Sequence, residues 1–229
     1  MKVVIYGSSG MVGQGVLRAC VLDEGVSSVL LVSRRPTGPH PAKVTEIVHD
    51  DFTDFSAIEG ELAGADACFY CLGVSSAGRS EAEYTRITYD YTLAAAHSLV
   101  RVSPGLVFIY VSGEGTDSEQ KARAAWARIK GRTENDLAAL NLRAHMFRPG
   151  YIQPRHGARS RTPLYRLLYA ATSWLYPVLH RLAPTHTTTT AHLAQAMLTV
   201  ARTPTGSPQI LTSPQINTLA TRTPPAGAS

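Results

Sequence analysis

The chain has 229 residues, 44% apolar and 17% charged, enough to bury one sizeable core and too apolar for a chain disordered throughout. A formal charge of +5 suits anionic ligands, yet no run of like charge is long enough for a nucleic-acid arm, so a mildly basic enzyme surface is the plainer reading and no nucleic-acid partner is expected. Three cysteines cannot all pair within one chain, the N-terminus lacks the apolar region of a secretory signal, and no stretch of ~20 residues is continuously apolar; these point to a cytoplasmic protein without a transmembrane helix.

Val3 to Tyr6 is a β-branched run ending at a glycine, the pattern of a buried strand. Residues 11–23 read as a helix, 29–32 as a second strand, 44–48 as a weaker third, and 54–64 as a short helical segment. A fourth strand is expected at 67–72, a long helix at 81–102, a fifth strand at 106–111, a second long helix at 119–141 and a sixth strand at 143–147. Near-continuous apolar strands alternating with helices describe an α/β fold, a Rossmann-like doubly wound parallel sheet. After Pro149 the rhythm changes. Residues 154–163 are polar and read as a loop, 163–184 as a helical stretch rich in Leu, Tyr and Trp174, 192–202 as a helix, and Ile210-Leu211 as a last short strand. The expected organisation is a single domain over 1–220 with a small C-terminal helical cap at about 154–205. Residues 221–229 have almost nothing to bury and are expected to be disordered.

The glycine-rich turn follows the first strand and opens the first helix. It reads Gly7-Ser8-Ser9-Gly10-Met11-Val12-Gly13. In a dinucleotide fingerprint the first glycine allows a tight turn, the second lets backbone approach a pyrophosphate, and the third lets helix and strand pack closely. The phosphates then sit on N–H groups at the helix start. A merely structural βα turn is the alternative, but the strand before and the helix after supply the context the motif requires. The second strand ends Val32-Ser33-Arg34-Arg35. An NAD site places a carboxylate there, on the ribose 2′-OH; none is present, and two guanidinium groups follow that can pair with a 2′-phosphate. NADP(H) is therefore expected over NAD(H), the alternative being two solvated arginines. Asp51 is either an acceptor for the adenine amino group or a turn aspartate. Gly73 follows the fourth strand, where open α/β sheets bind ligands.

With these residues the chain resembles the atypical, extended-like short-chain dehydrogenases/reductases, and within them the small NAD(P)H-binding proteins near the Tat-interacting oxidoreductase-like group. The resemblance covers about residues 1–153. It is carried by the glycine turn, Asp51-Phe52, Cys71-Leu72-Gly73, Tyr110-Val111-Ser112, the Lys130 segment and Arg148-Pro149-Gly150. It implies that Gly7, Ser9, Gly10, Met11, Val12, Gly13, Arg34, Arg35, Asp51, Phe52, Cys71, Leu72, Gly73, Lys130, Pro149 and Gly150 hold the cofactor, the last turn passing near the nicotinamide. It also implies a Ser-Tyr-Lys catalytic set, with Ser112 orienting a substrate carbonyl and Lys130 holding the ribose. The tyrosine belongs four residues before the lysine, where this chain has Trp126. An indole N–H donates a hydrogen bond but does not cycle as acid and base near neutral pH.

Three explanations follow. The protein binds NADPH without reducing anything, as a regulatory or interaction protein; or another acid serves, with Tyr84, Tyr89, Tyr91, Tyr151 and His156 as candidates; or Lys130 is structural. The leading expectation is an NADP(H)-binding oxidoreductase-like protein with a degenerate centre, acting on a small-molecule carbonyl. A nicotinamide-using epimerase or isomerase is a further alternative, and the oligomeric state stays open.

Other motifs carry less. Cys68 and Cys71 have redox spacing, but a strand would send them to opposite faces, so core packing is expected. His180, His186 and His192 lack helical one-face spacing and nearby carboxylates, so no metal is expected, and the threonines at 187–190 lead into a helix capped near Thr190. The aromatic and basic stretch 164–182, with Pro177 within it, reads as a lid over the substrate cleft or as a peripheral membrane or protein contact.

Overall fold

A computed structural model describes residues 1–158 and 184–221. Nearly all of the helical stretch expected at 163–184, the second half of the loop at 154–163, and the tail beyond Thr221 lie outside the described residues.

The chain begins with strand β1 (Lys2–Tyr6), helix α1 (Met11–Leu22), β2 (Ser28–Ser33) and β3 (Val44–Val48). A single 3-10 turn and the short α2 (Glu59–Leu62) lead to β4 (Ala67–Tyr70). Then come α3 (Glu81–Thr85), α4 (Tyr91–Val102), β5 (Val107–Val111), α5 (Ala125–Ala139) and β6 (Arg143–Arg148). The last described elements are β7 (Tyr151–Gln153), β8 (Thr187–Thr189), α6 (Thr190–Arg202), β9 (Ile210–Thr212) and α7 (Ser213–Ala220).

Seven strands form one sheet in the order β3-β2-β1-β4-β5-β6-β9, and every neighbouring pair is parallel. Parallel strands need crossovers, and the helices supply them on both faces. Side chains alternate accordingly. Val3, Ile5, Ala67, Phe69, Val107 and Ile109 point to a core shared with α1, α6 and α7. Val4, Tyr6, Cys68, Tyr70, Phe108 and Tyr110 point to a second core beneath α2, α4 and α5. The fold is thus the expected Rossmann-like doubly wound sheet. Strand order reverses between β1 and β4, and the crevice beyond their carboxyl ends is where such sheets take ligands.

Several boundaries differ from expectation for identifiable reasons. Helix α5 starts at Ala125, not 119, because the Asp117 carboxylate gathers the backbone N–H groups of Glu119, Lys121 and Ala122 at 3.0, 2.7 and 2.6 Å and bends 119–122 around itself. The expected helix at 81–102 is split by a π turn at Arg86–Asp90, with Tyr89 donating to Asp136 on α5 at 2.6 Å. The fourth strand stops at Tyr70, so Cys71 lies past it; Cys68 is buried in one core and Cys71 packs against the other, and all three cysteines are free. Strands β7 and β8 form a parallel pair of their own, which three-residue segments did not announce. Nor was α7 expected: its Asn217 donates to Thr187 O and accepts from the Thr188 hydroxyl, and its Ser213 accepts from Gly150 N. The threonine run therefore supplies a buried strand before it supplies a cap, with Thr189 Oγ1 accepting from His192 N at 3.0 Å.

Candidate functional site

Two cavities open beyond the carboxyl ends of the strands, one on each side of the glycine turn. One, of about 580 Å³, lies between the turn, Arg34-Arg35 and Phe52. The other, of about 890 Å³, lies between Gly10-Met11-Val12, the end of β5, Trp126, Lys130 and the Pro149-Gly150 turn. Leu72 lines both, so a ligand extended across the switch point places its middle on the turn and an end in each chamber.

The three glycines of the turn have separate jobs. Gly7 has φ +79°, and a Cβ there would lie 2.6 Å from Leu72 N, so only glycine fits against the end of β4. A Cβ on Gly13 would collide with the Gly7 carbonyl. Gly10 is different: its backbone is extended and its Cβ position meets only Gly7 O, at 3.4 Å, with the cavity beyond. Gly10 also caps α1 without a side-chain acceptor, and no acidic residue stands in the first turn. First-turn N–H groups and the positive end of the helix dipole are therefore left to a ligand, which fits a pyrophosphate.

At the outer chamber, Arg34 is exposed, with its guanidinium carbon 6.0 Å from the Phe52 ring centroid. Sequence reasoning missed Glu46, on β3 beside this site. Its carboxylate accepts from Ser33 Oγ at 2.7 Å, Thr37 N at 3.0 Å and Thr37 Oγ1 at 2.7 Å, and meets His40 Nε2 at 3.3 Å. Burial pushes its pKa up, but the bonds from Thr37, Ser33 and His40 outweigh burial and bring it to about 2. This carboxylate is thus ionised and its acceptor positions are taken up in holding the loop that carries the arginines. Asp51 is turned to its own loop, accepting from Thr53 N at 2.9 Å and Thr53 Oγ1 at 2.5 Å, and these bonds hold its carboxyl below the usual range. Asp50, not Asp51, lines the chamber.

At the inner chamber Ser112, Trp126, Lys130, Pro149 and Gly150 come together, with Cys71, Leu72 and Gly73 facing them from the end of β4. Ser112 Oγ, however, donates to Glu134 Oε1 at 2.5 Å, with Phe147 O at 3.2 Å as a second acceptor. Glu134 is buried on α5 and forked by Arg148, whose Nε lies 3.1 Å from each carboxylate oxygen. The serine hydroxyl is therefore held by a buried ion pair, and Lys130 Nζ donates to the Ser112 carbonyl. Burial lowers the Lys130 pKa to about 8 against the support of Glu134. Between pH about 8 and 10.5 the unfolded chain holds this proton and the native chain does not, so this contribution to stability rises with pH across that window. Thermal melts of wild type and Lys130→Met should show that increment in the wild type alone.

Of the candidate substitute acids, Tyr151 lines the inner chamber, its hydroxyl donating to Gln153 Oε1 at 3.0 Å. Tyr84 is buried, Tyr89 is bonded to Asp136, Tyr91 packs edge-on to Phe52, and His156 lies by a separate cavity. Two residues outside that set do line the chamber. His186 precedes β8, Glu114 follows β5, and His186 Nδ1 contacts Glu114 Oε1. They are 72 residues apart; the flanking Gly113 and Gly115 after a strand end were the only local hint. Among the described residues no cluster of ligating side chains suited to a metal occurs, and no helix is long and apolar enough to cross a membrane.

Residues 3–127 match the NAD dependent epimerase/dehydratase family. Protein fmp52, mitochondrial, of Emericella nidulans is 29% identical over 159 residues, which are 66% of this chain and 66% of that protein. Protein HTATIP2 of Rattus norvegicus is 26% identical over 155 residues, 66% of this chain and 62% of that protein, in line with the expected likeness to the Tat-interacting group. Among solved structures, the Bordetella bronchiseptica enzyme WbmF in complex with NAD+ shares the fold at a TM-score of 0.66 and 17% identity, over 96% of this chain and 76% of that one. One expectation is corrected. Fungal relatives of this chain are named as mitochondrial, which overturns the cytoplasmic reading. The physical reason is that unpaired cysteines report a reducing environment and do not say which compartment provides it.

Proposed function

Because this chain belongs to the NAD dependent epimerase/dehydratase family, we propose that it binds NADP(H) and acts as an oxidoreductase on a small-molecule carbonyl, through a centre that has lost its tyrosine. The observation that carries the cofactor choice is the pair Arg34-Arg35 beside a carboxylate, Glu46, whose acceptor positions are taken. A ribose diol finds no free acid at the end of β2, while a 2′-phosphate finds two guanidinium groups. Around that choice, Ser9, Gly10, Met11 and Val12 take the pyrophosphate, and Lys130 with Pro149-Gly150 borders the nicotinamide end. When bound, the reduced nicotinamide supplies a hydride. Trp126 gives a second reading its support: a regulatory protein in which NADPH is sensed and no carbonyl is reduced.

Calorimetric titration tests the cofactor choice. NADPH should bind tighter than NADH by about 10- to 100-fold, the worth of one hydrogen bond to a charged group. Arg34→Ala/Arg35→Ala should erase the difference by weakening NADPH alone. Equal affinities in the wild type would sink the proposal.

A further inference from the structure

We propose that His186, oriented by Glu114, is the proton donor and acceptor that replaces the missing tyrosine; this rests on the reductase reading above. The geometry narrows the choice. A substitute must line the inner chamber, carry a proton that moves near neutral pH, and be held in one orientation. Among the described residues, the titratable groups lining that chamber are Cys71, Glu114, Lys130, Tyr151 and His186. Burial pushes the Cys71 thiol far up, and Lys130 is committed to the Ser112 carbonyl. Tyr151 spends its hydroxyl proton on Gln153. His186 has Nδ1 fixed on a carboxylate, which leaves Nε2 as the nitrogen for a ligand. That is the arrangement of a base whose ring is set by a third group.

The backbone is built around this pair. Glu114 N donates to Pro149 O at 2.9 Å, which ties the loop after β5 to the Pro149-Gly150 turn. A Cβ on Gly150 would lie 2.5 Å from Glu114 Oε2 and would collide with the His186 carbonyl. The absence of a side chain at 150 is what lets the loop after β5 and the residue before β8 meet beside the nicotinamide end. Both side chains are about half exposed, so their contact adds little to stability. Its value is positional.

The carbonyl carbon gains a C–H bond from the hydride of the reduced nicotinamide, the C=O π pair moves to oxygen, and the His186 imidazolium releases the Nε2 proton to that oxygen. The alcohol and oxidised dinucleotide result, and the ring is left neutral with its remaining proton on Nδ1, facing Glu114. His186 is the catalytic residue and Glu114 a positioning residue.

The test uses the full-length protein with NADPH and a panel of aldehydes and ketones, following NADPH oxidation across pH. Wild type, His186→Gln, Glu114→Gln, Glu114→Asp and Tyr151→Phe are compared, with His156→Gln, outside the chamber, as control. His186→Gln should lose about 10²- to 10⁴-fold in turnover, the worth of a general acid, with NADPH affinity unchanged by calorimetry. Glu114→Gln should fall in kcat more than in KM, and Glu114→Asp should recover part of the loss. An independent readout is the imidazole ¹⁵N spectrum of His186 without cofactor: the neutral ring should hold its proton on Nδ1 in wild type and shift toward Nε2 in Glu114→Gln. Wild-type turnover that survives His186→Gln, or a loss confined to Tyr151→Phe, overturns the assignment and leaves the reductase reading standing. NADPH binding with no carbonyl reduced overturns proton delivery by His186 and puts the sensing reading first. Failure to bind NADPH overturns the cofactor reading itself.

Discussion

Gly10→Val is expected to abolish NADPH binding, by more than about 100-fold, while leaving the fold intact; Gly13→Val is expected to prevent stable folding. The two glycines are three residues apart on the same turn, but the space around them differs in kind. At Gly10 a side chain enters the cavity mouth, its backbone is already extended as valine prefers, and the nearest atom to its Cβ is Gly7 O at 3.4 Å. The cost to stability is that of a poorer helix cap, about 1 kcal/mol or less. The cost to binding is the whole approach of a pyrophosphate to the first-turn N–H groups. At Gly13 the same methyl groups are driven into the backbone of Gly7 and Ser8, which has nowhere to go without moving β1 or α1. Overpacking against backbone costs more than the ~1–3 kcal/mol typical of side-chain crowding. Calorimetry and thermal unfolding on both variants separate the outcomes. A Gly10→Val protein that binds NADPH normally would show the turn to be only structural.

The second large effect is expected at Glu134→Gln, a loss of about 3–5 kcal/mol in unfolding free energy, from breaking a buried ion pair by removing one partner. Glu134 is 3% exposed and the Arg148 side chain 18%, so neither charge falls back on bulk water. The amide keeps the size and a partner for Ser112 but leaves a guanidinium without its counter-charge. Arg148→Met alone should cost a similar amount, and Glu134→Met/Arg148→Met should recover most of it, since an apolar pair of similar volume leaves no uncompensated charge. Denaturant midpoints at constant slope give the comparison. Additive single and double losses would mean the pair is solvated and structurally idle. Glu134→Gln also withdraws the charge that supports the Lys130 ammonium, so the alkaline rise in stability should begin at lower pH in that variant.

Much of this was legible in the sequence, because it rests on local periodicity and local turn chemistry. The near-continuous apolar runs of β1, β4 and β5 and the glycine spacing from Gly7 to Gly13 each encode their structure within a dozen residues. Ser112, Trp126 and Lys130, picked out by their positions after the fifth strand, line one chamber. What the sequence withheld depends on contacts between distant segments. Glu114 and His186 meet only because β8 pairs with β7 beside the Gly150 turn. The start of α5 was misplaced because residues 119–124 have respectable helix propensity, and it is the Asp117 carboxylate that outbids it. The engagement of the Ser112 hydroxyl by Glu134 spans 22 residues and leaves no trace in a Ser…Lys pattern. The acid missing from the end of β2 was sought on one strand, while Glu46 stands on the neighbouring one.

The covering of α1 by α6 has a consequence for how the chain folds as it is made. Helix α1 packs its buried Val16 and Cys20 with Leu193, Ala194 and Met197, and the Arg202–Asp23 ion pair closes a loop of 179 residues. At synthesis rates of roughly 5–20 residues per second, α1 leaves the ribosome on the order of 10 to 40 seconds before its cover does. During that interval the sheet can assemble only with part of one apolar face, and the outer side of α1, uncovered. The contact joins segments far apart in sequence, so its docking comes late, after the apolar side of α1 has been exposed to the surroundings. Mutations on the α1–α6 contact should therefore reduce the yield of soluble protein before they change what the finished molecule binds.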